Sequence, residues 1–257
     1  MNTKEIIKSF KLQDELNPKI WYLPNEKHMG DSDGQEMKMR PEVRKRLLEI
    51  AYQFLDYLKI DLIVTDIVLT GSLANYNWSK YSDFDIHIII NYNQFPPSQH
   101  ELYKELFMLK KALFNKNHDI KIFGYEVELY VEGEEDAHFS SGVYSLLYDE
   151  WQHKPEKENT KIDKDTVERK SQQWMDIIDG VLENAKDEDL GEAIKLVKKY
   201  KEKLRKYRAC GLKKEGEFSY ENLVFKYLRR NGYISKLEDF KNKIADKKLS
   251  LEQENLK

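Results

Sequence analysis

Residues 71–90 read GSLANYNWSKYSDFDIHIII, and they end in a run that is apolar except at Asp83, Asp85 and His87. Side chains two apart on a strand point to the same face. Those three polar residues therefore share one face, and Phe84, Ile86 and Ile88 take the other. Two carboxylates on one strand face repel unless something cationic joins them. Immediately upstream, LIVTDIVLT over 62–70 is β-branched and apolar, which predicts a buried strand ending at Gly71. The glycine permits a tight turn and lets a ligand come close to the backbone. Ser72 is placed to cap a short helix whose free amides face a phosphate. Asp83 and Asp85 offer the hard oxygen ligands that Mg²⁺ (or Mn²⁺) takes, commonly together with substrate phosphate. A pair of such ions about 3.5–4 Å apart stabilises the attacking and leaving oxygens of a phosphoryl-type transfer.

Outward from this stretch the chain alternates strand and helix patterns. Pro41 opens PEVRKRLLEIAYQFLDYL, whose Val43, Leu47, Ile50, Ala51, Phe54, Leu55 and Leu58 keep helical spacing. PPSQHELYKELFMLKKALFNK reads as a second helix begun by proline, IKIFGYEVELYVEG as a long strand or hairpin, and GVYSLLYDEW as a further strand. The polar run NEKHMGDSDGQEMKM reads as a loop, with Trp21 and Tyr22 pinning the preceding arm to the body. After QHKPEKENTKID only helical patterns remain, over 165–185, 187–209, 219–231 and 234–248. The expected organisation is an N-terminal arm (1–40), an α/β catalytic unit (41–158) and a helical unit (159–257).

An apolar strand, Gly-Ser, ten residues, then Asp-Phe-Asp resembles the signature of the DNA-polymerase-β-like nucleotidyltransferase superfamily, in which a third carboxylate follows on a later strand. The resemblance covers 62–132, and Glu128 in YEVELYV stands where the third acid is expected. Among branches, the chain is reminiscent of phage-encoded nucleotidyltransferases and of the oligoadenylate-synthase-like group. What this implies is an α+β fold: a small mixed β-sheet core with flanking helices, followed by a C-terminal helical bundle. It also implies an enzyme that moves a nucleoside monophosphate from an NTP to a hydroxyl acceptor without a template, releasing pyrophosphate. Asp83, Asp85 and Glu128 would be both catalytic residues and metal ligands, with Gly71 and Ser72 gripping the nucleotide. Many members carry aspartate at the third position; the glutamate here is longer by one carbon–carbon bond, about 1.5 Å. That weakens a second metal site and leaves a general base in reach.

Parity alone does not choose the third acid, because Glu126, Glu128 and Glu132 share a face. Glu126 lies close to Gly124, and Glu132 precedes GEED, where the strand runs out. Glu128 is central. His87 reads as a neighbour of the aspartates rather than a ligand, since imidazole is not what Mg²⁺ selects. His138 has no ligand spacing around it and reads as a loop residue. Trp78 and Tyr81 serve equally as base-stacking or as packing residues. In EAIKLVKKYKEKLRKYRACGL, Ile194, Val197, Tyr200, Leu204 and Tyr207 form an apolar stripe, flanked by Lys198, Lys201, Arg205 and Arg208. A solvated face explains those charges as well as a nucleotide contact does. The functional reading takes Lys198, Lys201, Arg205 and Lys226 as triphosphate or RNA contacts, a role that family resemblance assigns to the helical domain.

A net charge of −3 excludes wholesale electrostatic binding to nucleic acid but not a local basic patch. One cysteine, Cys210, excludes an intrachain disulfide. The first residues lack the apolar core of a signal peptide, and no apolar run reaches the roughly 20 residues of a membrane span. A cytoplasmic protein is expected. Two other readings compete with the enzyme: a nucleotidyltransferase fold that binds nucleotide or a partner without turnover, and an Asp-x-Asp glycosyltransferase. The second gives no reason for Gly-Ser before the acids.

Overall fold

The computed structural model describes residues 3–24, 36–136, 140–157 and 162–250. The chain divides into two compact units, Leu12–Asn159 and the pair of segments Met1–Lys11 and Thr160–Lys257. Helix α1 (Thr3–Ser9) opens the chain within the second of these.

In the unit Leu12–Asn159, a short antiparallel pair, β1 (Trp21–Tyr22) and β2 (Lys38–Met39), precedes helix α2 (Pro41–Leu58). Proline in the first turn of α2 lacks only an amide that would have no helical partner there. Val43, Leu47, Ile50, Phe54 and Leu58 recur three or four apart and are all buried. Strand β3 (Val64–Thr70) pairs antiparallel with β4 (Phe84–Ile90). Helix α3 (His100–Asn117) follows a single 3-10 turn, Pro97–Gln99. The alternating segment after it folds as a hairpin, β5 (Lys121–Ile122) with β6 (Tyr125–Gly133). Phe123 and Gly124, with φ of 52° and 87°, form the two-residue turn that suits strand twist. A second hairpin, β7 (Val143–Ser145) and β8 (Glu150–His153), completes a sheet of order β5-β6-β4-β3-β7-β8. The β4–β6 pairing is parallel and the rest antiparallel, so the sheet is mixed.

One face of this sheet is the core. Phe84, Ile86, Ile88 and Ile90 are fully buried with Ile67 and Leu69 of β3, and α2 packs on β4 while α3 packs on β6. Phe54 meets Phe114 edge-on at 5.1 Å between the helices. Each such buried Ile or Phe contributes roughly 1.5–3 kcal/mol. The opposite face carries Asp66, Val68 and Thr70 beside Ile89, His87 and Asp85. Trp21 stacks on Trp151 at 4.4 Å, and its indole N–H donates to the Leu73 carbonyl at 2.8 Å. The arm is pinned as expected, and it is pinned to the turn that follows β3. Of the polar loop, residues 25–35 lie outside the described residues, as does His138.

The second unit is helical: α4 (Lys164–Asp187), α5 (Leu190–Glu215), α6 (Tyr220–Arg230) and α7 (Tyr233–Leu249). Asp163, Asp189 and Ser219 cap the first three by accepting backbone N–H bonds. Val197 and Leu204 of α5 are buried, as the apolar stripe requires. Helix α1 packs on α4 and α6, and its Ile6 and Ile7 are buried, as is Phe10 just after it. Met1–Lys11 group with this helical unit. The fold is α+β: a small mixed sheet with helices on one face, followed by a helical bundle. No helix among the described residues is long and apolar enough to cross a membrane.

Candidate active site

The site begins with strand register. Parallel pairing places Asp85 opposite Glu128, His87 opposite Tyr130 and Ile89 opposite Glu132, while Thr70 of β3 stands opposite Asp85. Thr70, Asp85 and Glu128 therefore form one row across three strands on the face away from the core. Asp83 sits immediately before β4 and completes an acidic cluster. One carboxylate oxygen from each of Asp83, Asp85 and Glu128 lies within 4.8 Å of the others. Three hard anionic oxygens at this spacing suit a divalent cation of the Mg²⁺ type. The other two glutamates of the strand are engaged elsewhere. Glu126 lies 3.7 Å from Lys121, and Glu132 lies 2.9 Å from His87 Nδ1. The His87 ring is stacked on Tyr130 at 4.6 Å.

Gly71 carries a second constraint. Its φ of +75° and ψ of −160° suit only glycine. A Cβ built there would come within 2.1 Å of Asp85 Oδ2. The glycine is thus the surface on which the Asp85 carboxylate rests. Ser72 differs from expectation: it does not cap a helix but is the first residue of a 3-10 turn, Ser72–Ala74. Its hydroxyl donates to Ser82 Oγ at 2.7 Å, and Ser82 also accepts the Ser79 N–H. The Gly71 N–H donates to Ser140 Oγ at 3.1 Å, and Asn75 Nδ2 donates to Ser141 Oγ at 2.5 Å. A Cβ on Gly142 would strike the Ala74 carbonyl at 1.9 Å. Residues 140–142 thus brace the turn from behind. Trp78 takes the packing role: it lies against the core, and its indole N–H donates to the Glu15 carbonyl at 2.9 Å.

Two residues outside the motif converge on Glu128. The Tyr130 hydroxyl donates to Glu128 Oε2 at 2.6 Å, and the Lys111 ammonium lies 3.5 Å from the same oxygen. The ammonium also sits 3.2 Å above the centre of the Tyr130 ring. Burial holds Lys111 below the ordinary lysine range, opposed by Glu128, Asp85 and Asp83. Burial, then the charges of Asp85 and Glu128, push the Tyr130 phenol far above its usual range, so it remains a hydroxyl donor. A cleft of about 360 Å³ borders Glu128, lined in part by Asn115, Lys116, His118 and Asp119.

A family model described as a nucleotidyltransferase domain matches residues 51–219, more than half of the chain. The chain belongs to this nucleotidyltransferase family. The match spans the whole acidic cluster, and the protein is a nucleotidyltransferase enzyme. No curated protein matches the chain. Among solved structures, a STING-associated CdnE c-di-GMP synthase from Capnocytophaga granulosa aligns over 82% of this chain and 83% of its own, at 14% identity and a TM-score of 0.22. A score that low bears on neither fold nor function here.

The basic residues of the nucleotidyltransferase's helical unit fall into two groups. Lys198 and Arg205 are exposed on α5. Lys201, between them, is ion-paired with Glu238 of α7, which also holds Lys241. Lys226 stands apart from that flank, among the charges of Glu217, Arg230, Arg229 and Arg208, and burial holds it below the ordinary lysine range. Lys111, Tyr130, Ser140 and Gly142 went unnoticed in the sequence. Lys111 alone left a legible signal there, since it occupies the buried stripe of α3 between Phe107 and Phe114.

Proposed function

We propose that this nucleotidyltransferase moves a nucleoside monophosphate from an NTP to a hydroxyl acceptor, with Mg²⁺ or Mn²⁺ held by Asp83, Asp85 and Glu128. The observation that carries the reading is the convergence of these three carboxylates from β4 and β6. The bound cation would supply Lewis-acid stabilisation of charge on the transferring phosphoryl group. Glu128 accepts the proton of the acceptor hydroxyl as its oxygen bonds to the α-phosphorus. The bond from that phosphorus to the β-phosphate oxygen breaks, and pyrophosphate leaves. Gly71 and the Ser72 turn keep Asp85 in place for this step and are the proposed nucleotide side of the site. A cleft of about 360 Å³ borders Glu128, and an RNA end or a free nucleotide is the proposed acceptor that enters it. Lys198, Arg205 and Lys226 are proposed contacts for a phosphate-bearing ligand, while the Glu238 pairing removes Lys201 from the first candidates.

The test is incubation with each α-labelled NTP and Mg²⁺ or Mn²⁺, with and without total RNA, comparing the native chain with the double variant Asp83→Asn, Asp85→Asn. Label should pass to an acceptor in the first and not in the second, with the variant still folded because a like-charge pair has been relieved. Undiminished transfer by the double variant would sink the metal reading.

A further inference from the structure

Lysine side chains are ordinarily at the surface, with the ammonium in water. Lys111 departs from that habit. It lies four residues after Phe107 and three before Phe114, both buried, so it shares the inward stripe of α3. Its side chain is only 22% exposed. The ammonium meets two groups at once, the Tyr130 ring at 3.2 Å and Glu128 Oε2 at 3.5 Å. Tyr130 in turn donates its hydroxyl to the same oxygen at 2.6 Å. Two donors on one carboxylate oxygen fix the rotation of the carboxylate, and so fix where its other oxygen points. A fixed cation beside an acidic cluster also has a consequence for any mobile cation, since both draw on the same negative charge.

We propose that Lys111 is a positioning residue, a built-in cation that holds Glu128 in line with Asp83 and Asp85 and competes with the divalent ion for the charge of the cluster. The inference rests on the metal reading above and adds a claim that reading does not make. Lys111 lowers the affinity of the cluster for metal while raising the rate of the loaded enzyme. A lysine that merely packs α3 onto β6 would not raise the rate of the loaded enzyme.

The experiment measures Mn²⁺ binding to the full chain by calorimetry without nucleotide, and turnover at saturating Mn²⁺ and NTP. Lys111→Met should bind Mn²⁺ at least about tenfold more tightly, a modest part of what removing a unit charge a few ångströms away can yield. Its turnover should fall at least about tenfold, the effect of a misplaced carboxylate. Lys111→Arg, which keeps the charge, should restore both quantities towards the native values. Lys111→Gln covers the case in which the methionine variant fails to fold, with the same tightening expected. Unchanged or weaker Mn²⁺ binding by the neutral variants would overturn the inference. The double variant Asp83→Asn, Asp85→Asn separates the two claims: if it binds Mn²⁺ as the native chain does, the metal reading itself fails, whatever Lys111 does.

Discussion

Asp85 Oδ2 lies where a Cβ on residue 71 would have to be, 2.1 Å from the ideal position. Gly71→Ala therefore adds a methyl group at a positive φ and drives it into the Asp85 carboxylate. Displacements of about 1 Å in such sites cost on the order of 100-fold in rate. We expect Gly71→Ala to lose at least about 100-fold in nucleotidyl transfer, read from label incorporation. Activity within a few-fold of native would show that Asp85 has another place to rest. The glutamates of β6 give a second test at this scale. Glu128→Ala should cut turnover by at least about 100-fold, the low end of general-base effects. Glu126→Ala and Glu132→Ala should stay within a few-fold, because their partners are Lys121 and His87. A dead Glu126 variant beside an active Glu128 variant would move the catalytic carboxylate one strand repeat earlier.

At the scale of elements, β3 holds a buried acid that the chemistry does not use. Asp66 accepts hydrogen bonds from the Ser145 hydroxyl at 2.8 Å, Gln152 Nε2 at 2.5 Å and the Ile67 amide at 2.7 Å, tying β3 to β7 and β8. Burial raises its pKa above the ordinary carboxylate range despite the bonds from Ser145 and Ile67. An acid with a raised folded pKa contributes stability that is fully present below the unfolded pKa and is lost as pH rises through the folded one. Above that window the ionised Asp66 weighs against folding. The difference in unfolding midpoint between Asp66→Asn and the native chain should therefore shift in favour of the variant as pH rises from about 4 to about 7. Denaturant titrations at several pH values would check this, and a difference that does not move with pH would contradict it. The elements themselves were legible wherever their periodicity was strong. The helix Pro41–Leu58 and the strands around Gly71 stand as read. The hairpin of β5 and β6 was left open because a period of two is the same in one long strand and in two paired ones; the backbone at Phe123 and Gly124 makes the difference.

At the scale of the whole molecule, the chain returns on itself, since α1 belongs with helices that come some 160 residues later. Ile6 is fully buried, and Arg230 stacks over Phe10 while donating to Ser9 Oγ. Ile6→Ala should cost about 2–4 kcal/mol, the usual penalty for truncating a buried isoleucine. Hydrogen exchange would show the loss of protection in α4 and α6, with β3, β4 and β6 unaffected. Equal loss in both units would mean that α1 serves them together. A second test concerns charge. If Arg205 contacts a phosphate-bearing ligand, Arg205→Glu should weaken NTP or RNA binding and flatten its dependence on salt; an unaltered Kd across a salt series would leave it a solvated residue.

The sequence by itself determined what depends on near neighbours. Alternation through Asp83–Ile90 assigned the faces of β4, apolar spacing placed the helices, and Gly71-Ser72 followed by the paired aspartates carried the family resemblance that implies nucleotidyl transfer. Only the tertiary structure decided what depends on partners far apart in the chain. The parallel register of β4 on β6 selects Glu128 from three glutamates of equal parity. Asp85 gives Gly71 its steric reason, Ser140 braces the turn from another loop, and Lys111 reaches the carboxylates from α3. Periodicity fixes the direction of a side chain relative to its own element, whereas register, close approach and ion pairing are properties of two elements brought together by folding.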